Sequence, residues 1–251
     1  WSNPAWGPPQ SDRTALGSSY KTNGHLVHFS DLDVYYNDTT KDTYVIRGVT
    51  RDRFNELRGA AGFLGFPKSE GLPTAASGSS GILGTYQQFE GGLMYTFALG
   101  GVWQAWEIHG AIQAAYNSLP GVGPGSPLGF PVSGEKETGA SPVKTRGLYQ
   151  LFEGGRIYYD STDSSGKDVG ATFILYQNTA RHLPRSSSGV DDHRLGFPID
   201  RQQSPQDCRV FFELGYIDCV AGIQEYSEGT SHPNLPALLL LPYTATAEVY
   251  W

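Results

Sequence analysis

The tetrapeptide Leu-Gly-Phe-Pro occurs three times in this chain, at Leu64–Pro67, Leu128–Pro131 and Leu195–Pro198. It holds no acid, base, nucleophile or metal ligand. Leu and Phe suit a core, Gly permits a sharp backbone path, and Pro fixes φ and ends a strand. The tetrapeptide therefore reads as a joint that sets a period. A second motif travels with it: "YQQFEGGLMYTF" from Tyr86, "YQLFEGGRIYYD" from Tyr149, a diverged "RVFFELGYIDCV" from Arg209 and a weaker "HLVHFSDLDVYYN" from His25. Aligned on Phe29, Phe89, Phe152 and Phe212, the copies recur about every 60 residues. Each alternates apolar residues, breaks at a turn and alternates again, which is the pattern of a β-hairpin.

A glycine follows each hairpin, at Gly48, Gly110, Gly170 and Gly222. Behind the first three, apolar spacing of three to four predicts short helices over 49–57, 111–119 and 171–182. The expected fold is β-rich with short helices, arranged as a closed propeller-like ring of four pseudo-symmetric units, each a hairpin, a short helix and an LGFP loop. One repeat domain spans 1–251. Its units fall around 25–84, 85–147, 148–207 and 208–226, with the termini completing the fourth (1–24) and 227–251 as a closing tail. Closure would remove exposed strand edges. The apolar run Ala237–Leu241 in the tail requires burial, along the ring or against a second chain in an oligomer. Composition agrees with this class. The 32 Gly and 16 Pro stand beside 13% aromatic residues, which favours short strands and tight turns over disorder.

The cysteines test the hairpin register. With Glu213 and Leu214 at the turn, Phe212 faces Gly215 and Cys208 faces Cys219, within disulfide reach. Such a bond suits an oxidising compartment. The sequon Asn37-Asp38-Thr39 marks Asn37 as a glycosylation candidate, and both features lean towards secretion.

The combination of LGFP, "FEGGRIYY" and a following Gly and helix resembles the LGFP-repeat family over roughly residues 25–226. The segment from Leu128 to Ala171 is the nearest copy of that pattern. Members of the family are cell-envelope modules, appended to mycolyltransferase-type and hydrolase enzymes of actinobacteria, where they are thought to bind wall polysaccharide. The resemblance implies extracellular or cell-wall-associated carbohydrate binding, and not by itself an enzyme. "SDLD" replaces "EGGR" in the first hairpin, a departure from the family pattern.

Other classes lack support. Net charge is −7 with no basic cluster to track a phosphate backbone, so no nucleic-acid partner is expected. No apolar run approaches the length of a membrane span. Serine-esterase elbows, zincin motifs and paired CxxC motifs are missing, and no cofactor or metal is implied.

Carbohydrate recognition needs aromatic faces with convergent polar groups. Tyr36, Tyr159, Trp103 and Trp106 supply rings on or near hairpins. His28, His109, Arg47 and Arg156 supply polar groups where the copies differ from one another. Adjacent strand residues face opposite ways, so Tyr35, Tyr95 and Tyr158 are expected in the core while Tyr36 and Tyr159 face away. A second reading is glycoside hydrolysis. Asp31 and Asp33 are the candidate catalytic carboxylates, since that chemistry uses one raised acid and one ionised partner.

Overall fold

The computed structural model describes residues 3–140, 145–162, 168–180, 198, 209–212, 215–218 and 222–225. The chain divides into two compact units, Trp1–Gly134 and Glu135–Trp251. In the first, strands β1 (Thr14–Gly17), β2 (Asn23–His28), β3 (Leu32–Asn37) and β4 (Thr43–Arg47) form one antiparallel meander. Helix α1 (Gly48–Glu56) leads to the first LGFP segment. A second meander follows, from β5 (Leu72–Pro73), β6 (Gly84–Gln88), β7 (Gly92–Leu99) and β8 (Val102–His109), and then helix α2 (Gly110–Asn117). The second unit repeats the plan with β9 (Lys136–Ala140), β10 (Arg146–Phe152), β11 (Gly155–Thr162), β12 (Asp168–Tyr176) and the four-residue α3 (Gln177–Ala180). It also holds a three-stranded sheet of β13 (Arg209–Phe212), β14 (Gly215–Asp218) and β15 (Gly222–Glu225).

The β-rich class is as expected, and the closed ring is not. The described residues form three separate four-stranded antiparallel sheets and one of three strands, and none closes into a ring. The reason lies in strand count. Among the described residues the first three motif hairpins each gain a flanking strand on both sides and the fourth gains one, β15, so each hairpin sits in its own sheet without pairing to the next. The N-terminal segment does not join the fourth hairpin's sheet either: β1 pairs with β2, with Ala15 opposite His25, and so belongs to the first sheet.

The edge of that first sheet is covered by side chains. Val45 on β4 donates its N–H to Glu70 Oε1 at 3.1 Å, and its carbonyl accepts from Gln87 Nε2 at 3.1 Å. Gln87 also donates to the Ser69 carbonyl at 2.8 Å. A strand edge satisfied in this way has no need of a neighbouring strand.

Helices α1 and α2 lie where the spacing predicts. The third expected helix does not form over 171–176. The run Ala171–Tyr176 is rich in β-branched and aromatic residues, and it pairs one to one with β11, Ile174 opposite Ile157 and Tyr176 opposite Gly155. Gly170 therefore lies inside β12, and Gly222 opens β15. Only Gly48 and Gly110 open helices, at φ of 56° and 55°.

The two LGFP segments within the described residues, Leu64–Pro67 and Leu128–Pro131, are joints, as read; Leu195–Phe197 of the third lie outside the described residues. Leu64 and Phe66 are fully buried, and Gly65 takes φ 67°. The segment runs beside the next hairpin turn: Glu90 N–H donates to the Phe66 carbonyl at 3.0 Å and Gly91 N–H to that of Leu64 at 2.9 Å. Glu90 completes the clasp, its Oε2 accepting from Phe66 N–H at 2.8 Å and its Oε1 from the Thr22 hydroxyl. Around this joint Tyr35 and Ile46 of the first sheet, Phe54 of α1, and Phe89, Met94 and Ala105 of the second form one core. The other face of the first sheet buries Val27, Phe29, Leu32, Val34 and Val45, with Trp6 edge-on to Phe29 at 5.6 Å.

Tyr35, Tyr95 and Tyr158 are buried, and Tyr36 and Tyr159 only half so. The register of β13 and β14 is the one derived from the repeats, with Arg209 opposite Asp218 and Phe212 opposite Gly215. Cys208 and Cys219 lie one step outward and outside the described residues, as does the tail 227–251. Among the described residues no helix is long and apolar enough to cross a membrane.

Candidate functional site

The proposed carboxylate pair does not assemble. Asp31 is exposed on the β2–β3 turn. Asp33 is fully buried and already neutralised: its Oδ1 lies 2.6 Å from His28 Nδ1 and 3.0 Å from Arg51, and its Oδ2 lies 3.5 Å from Asn55 Nδ2. A buried carboxylate clamped by a guanidinium and an imidazole cannot meet a polysaccharide chain. The correction follows from strand alternation, because an i, i+2 pair spanning a two-residue turn leaves one member on the turn and the other within the sheet. His28 is consumed in the same cluster, holding β2 to β3 beneath α1.

The remaining candidates scatter. Arg47 is exposed at the end of β4, immediately before α1. Arg156 is buried. His109 packs against Phe63 with ring centroids 4.4 Å apart, and burial holds its pKa below the usual imidazole value although nearby Glu107 pulls the other way. Trp106 lies under the Arg53 guanidinium, 4.8 Å from its ring centre, with its indole N–H donated to Gln104. Trp103 stands 63% exposed at the tip of the β7–β8 hairpin. Tyr159 is half-buried on β11, opposite Leu148 and Thr172. Asn37 of the sequon is drawn inward: it is 8% exposed, and its Oδ1 accepts the N–H groups of Thr39 and Thr40 at 2.8 and 3.1 Å. Ser77 caps the loop before β6 in the same way, accepting from Ser79 and Ser80, which marks the Asn37 amide as a turn cap.

One candidate ring does sit among convergent polar groups. Ala15, His25, Tyr36 and Thr43 are directly opposite one another across β1 to β4. This row lies two residues from Val27, Val34 and Val45, on the same face and at the open end of that buried core. The His25 and Tyr36 ring centroids are 6.4 Å apart with planes tilted by 41°. Arg13, just before β1, brings its guanidinium to 2.8 Å from His25 Nε2. Asp38, just after β3, places Oδ1 3.2 Å from His25 Nδ1. An imidazole with its proton on Nδ1 satisfies both contacts, donating to Asp38 and accepting from Arg13.

Two half-buried rings, a cationic donor and an anionic acceptor thus converge on a partly open sheet face. Such a set can lie against the C–H face of a pyranose and bond its hydroxyls. It offers no nucleophile and no second carboxylate. Among the described residues no group of three potential ligands for a metal ion occurs.

Arg13, His25 and Asp38 are not among the sequence candidates. The signal for His25 was available: the register that pairs Cys208 with Cys219, moved to the first hairpin, sets His25 opposite Tyr36. Arg13 and Asp38 belong to loop segments that no hairpin register reaches. No protein-family model matches the chain, and no curated protein matches it.

Proposed function

We propose that the protein is a secreted carbohydrate-binding module of the LGFP-repeat kind, and that the His25–Tyr36 face of the first sheet is its contact site. The convergence of Tyr36, His25, Arg13 and Asp38 on one part-exposed face carries the reading. The flanking Arg13 and Asp38 suit a neutral sugar, whose adjacent hydroxyls can accept from one and donate to the other. The internal pairing of Asp33 removes the carboxylate pair on which glycoside cleavage depended.

Incubation with arabinan, galactan and peptidoglycan, followed by assays of retention and of new reducing ends, tests the reading. Retention without product is expected. Tyr36→Ala and Asp38→Asn are each expected to weaken it about tenfold, the scale of losing a stacked ring or a charged hydrogen bond. New reducing ends, or retention unchanged in both variants, would sink the reading.

Secretion carries a chemical expectation of its own. If β13 and β14 continue their register by one pair, Cys208 and Cys219 join in a disulfide. Thiol titration of the unfolded, unreduced protein should find no free thiol, and titration after reduction should find both. Two thiols without reductant would remove the oxidising compartment from the proposal.

A further inference from the structure

Between Glu70 and Glu135 the chain carries only two formally charged residues, Glu90 and Glu107. Both are held in internal bonds, Glu90 to the LGFP backbone and Thr22, and Glu107 to Arg53. The second sheet and α2 therefore present a surface without free charge. Seven large apolar side chains are exposed among the described residues, and five of them (Leu72, Leu83, Val102, Trp103 and Val122) fall in this stretch. Folding leaves such groups in water without gain, and clustered apolar exposure marks a contact surface.

Three of the five share one end of the sheet. Pairing of β6 with β7 ends at Gly84 opposite Phe97, while β7 and β8 continue through Ala98 opposite Trp103 and Leu99 opposite Val102. Gly100 and Gly101, at φ of 59° and 81°, close the hairpin. Both positive angles match a tight two-residue turn whose twist suits the strands. The tip so formed projects beyond β6 and carries Val102 at 62% exposure and Trp103 at 63%. Leu83 flanks it at 69%.

We propose that this tip inserts into a neutral lipid interface and holds the protein on a membrane or lipid layer. A projecting tip lacks the flat, self-complementary face that a two-fold contact between copies requires. A glycan would need several charged or amide groups converging on the ring; the one adjoining amide, Gln104, already accepts from the Trp106 indole at 3.0 Å, and the exposed neighbours Val102 and Leu83 are aliphatic. Indole prefers the boundary between headgroups and acyl chains, and the aliphatic neighbours prefer the chains themselves. With no basic residue in the stretch, attraction to anionic headgroups contributes nothing, so zwitterionic lipid suffices and added salt screens little.

The test is sedimentation of the full chain with sucrose-loaded phosphatidylcholine vesicles, at low and at high salt, while following indole fluorescence. Binding is expected at both salt concentrations, with a blue shift. Trp103→Ser is expected to lower partitioning about tenfold or more, and Val102→Ser by less, following the apolar area each removes. Both side chains are exposed, so circular dichroism should be unchanged, and retention on polysaccharide should be unaffected by either. Four results would overturn the proposal. These are no sedimentation, sedimentation confined to anionic vesicles and abolished by salt, unaltered partitioning of Trp103→Ser, and a concentration-dependent dimer that Trp103→Ser dissolves.

Discussion

Arg53→Ala is expected to cost about 3 kcal/mol of folding stability, the lower end of what removing one partner of a buried ion pair costs. Arg53 on α1 binds Glu107 of β8 with two bonds of 2.8 Å, from Nε and from a terminal nitrogen. It also bonds Glu56 at 2.9 Å and stacks on Trp106. Glu107 is 3% exposed, so without Arg53 its charge is left in a desolvated place. Arg53 is partly open to water, which places the expected cost at the low end of the range.

Comparison among the repeats shows why a charge sits there. Val45, Glu107 and Ile174 occupy the same register position, opposite Val34, Met94 and Ile157. In the first copy the carboxylate comes from outside, as Glu70 bonding to Val45. In the second, Gly134 stands at the position of Glu70, and a Cβ there would lie 2.5 Å from Glu107 Oε1 and 2.8 Å from an Arg53 terminal nitrogen. The carboxylate has moved from loop to strand, and the loop residue has shrunk to make room. The double change Arg53→Met with Glu107→Val is accordingly expected to fall within about 1 kcal/mol of the wild type, since apolar replacements of buried pairs are often neutral. Urea unfolding of the two variants measures both quantities. A double variant as unstable as Arg53→Ala would show that the pair stabilises the fold through its charges.

What the sequence made legible was whatever repeats. Period, hairpin turns, the core side of each Tyr pair and the register from Phe212 to Gly215 all follow from aligning four copies. The flanking strands β4, β8 and β12 were not legible as strands, because their pairing is set by contact with the hairpin and their loops differ in length. In the third copy this misplaced the helix, since 171–176 offers apolar residues that fit either period. The ring was inferred from the need to hide strand edges. Glu70 and Gln87 meet that need on β4 with two side chains whose roles appear only once the strands are placed. The site suffered similarly. Asp31 and Asp33 looked like a pair because they break the pattern, yet Asp33 departs from it to bind Arg51 and Asn55 of the helix packed above.

The other large effect belongs to the joint itself. Phe66→Ala and Phe130→Ala are each expected to lose about 3–5 kcal/mol, the range for deleting a fully buried Phe. Both rings are fully buried and stand in matching surroundings. Phe66 is edge-on to Tyr35 at 6.3 Å, and Phe130 meets Tyr95 at 6.0 Å and stacks on Phe97 at 4.3 Å. Each also lies over a strand glycine at the same place in its copy. A Cβ on Gly24 would come within 2.6 Å of Phe66, and one on Gly84 within 2.8 Å of Phe130. In these two copies the tetrapeptide and the glycine five residues before the motif Phe, Gly24 before Phe29 and Gly84 before Phe89, are therefore halves of one contact. Gly84→Ala should cost about 1–3 kcal/mol by overpacking. Phe130→Leu withdraws the ring atom nearest to it, so the Leu substitution should cost less in the Gly84→Ala chain than in the wild type. Rescue will be partial, because the new methyl also lies 2.7 Å from the Thr96 carbonyl oxygen. Simple additivity in this double-mutant cycle would break the link, since residues in contact couple by about 0.5–3 kcal/mol. In the third copy Gly147 and the buried Tyr158 stand in the same places on β10 and β11.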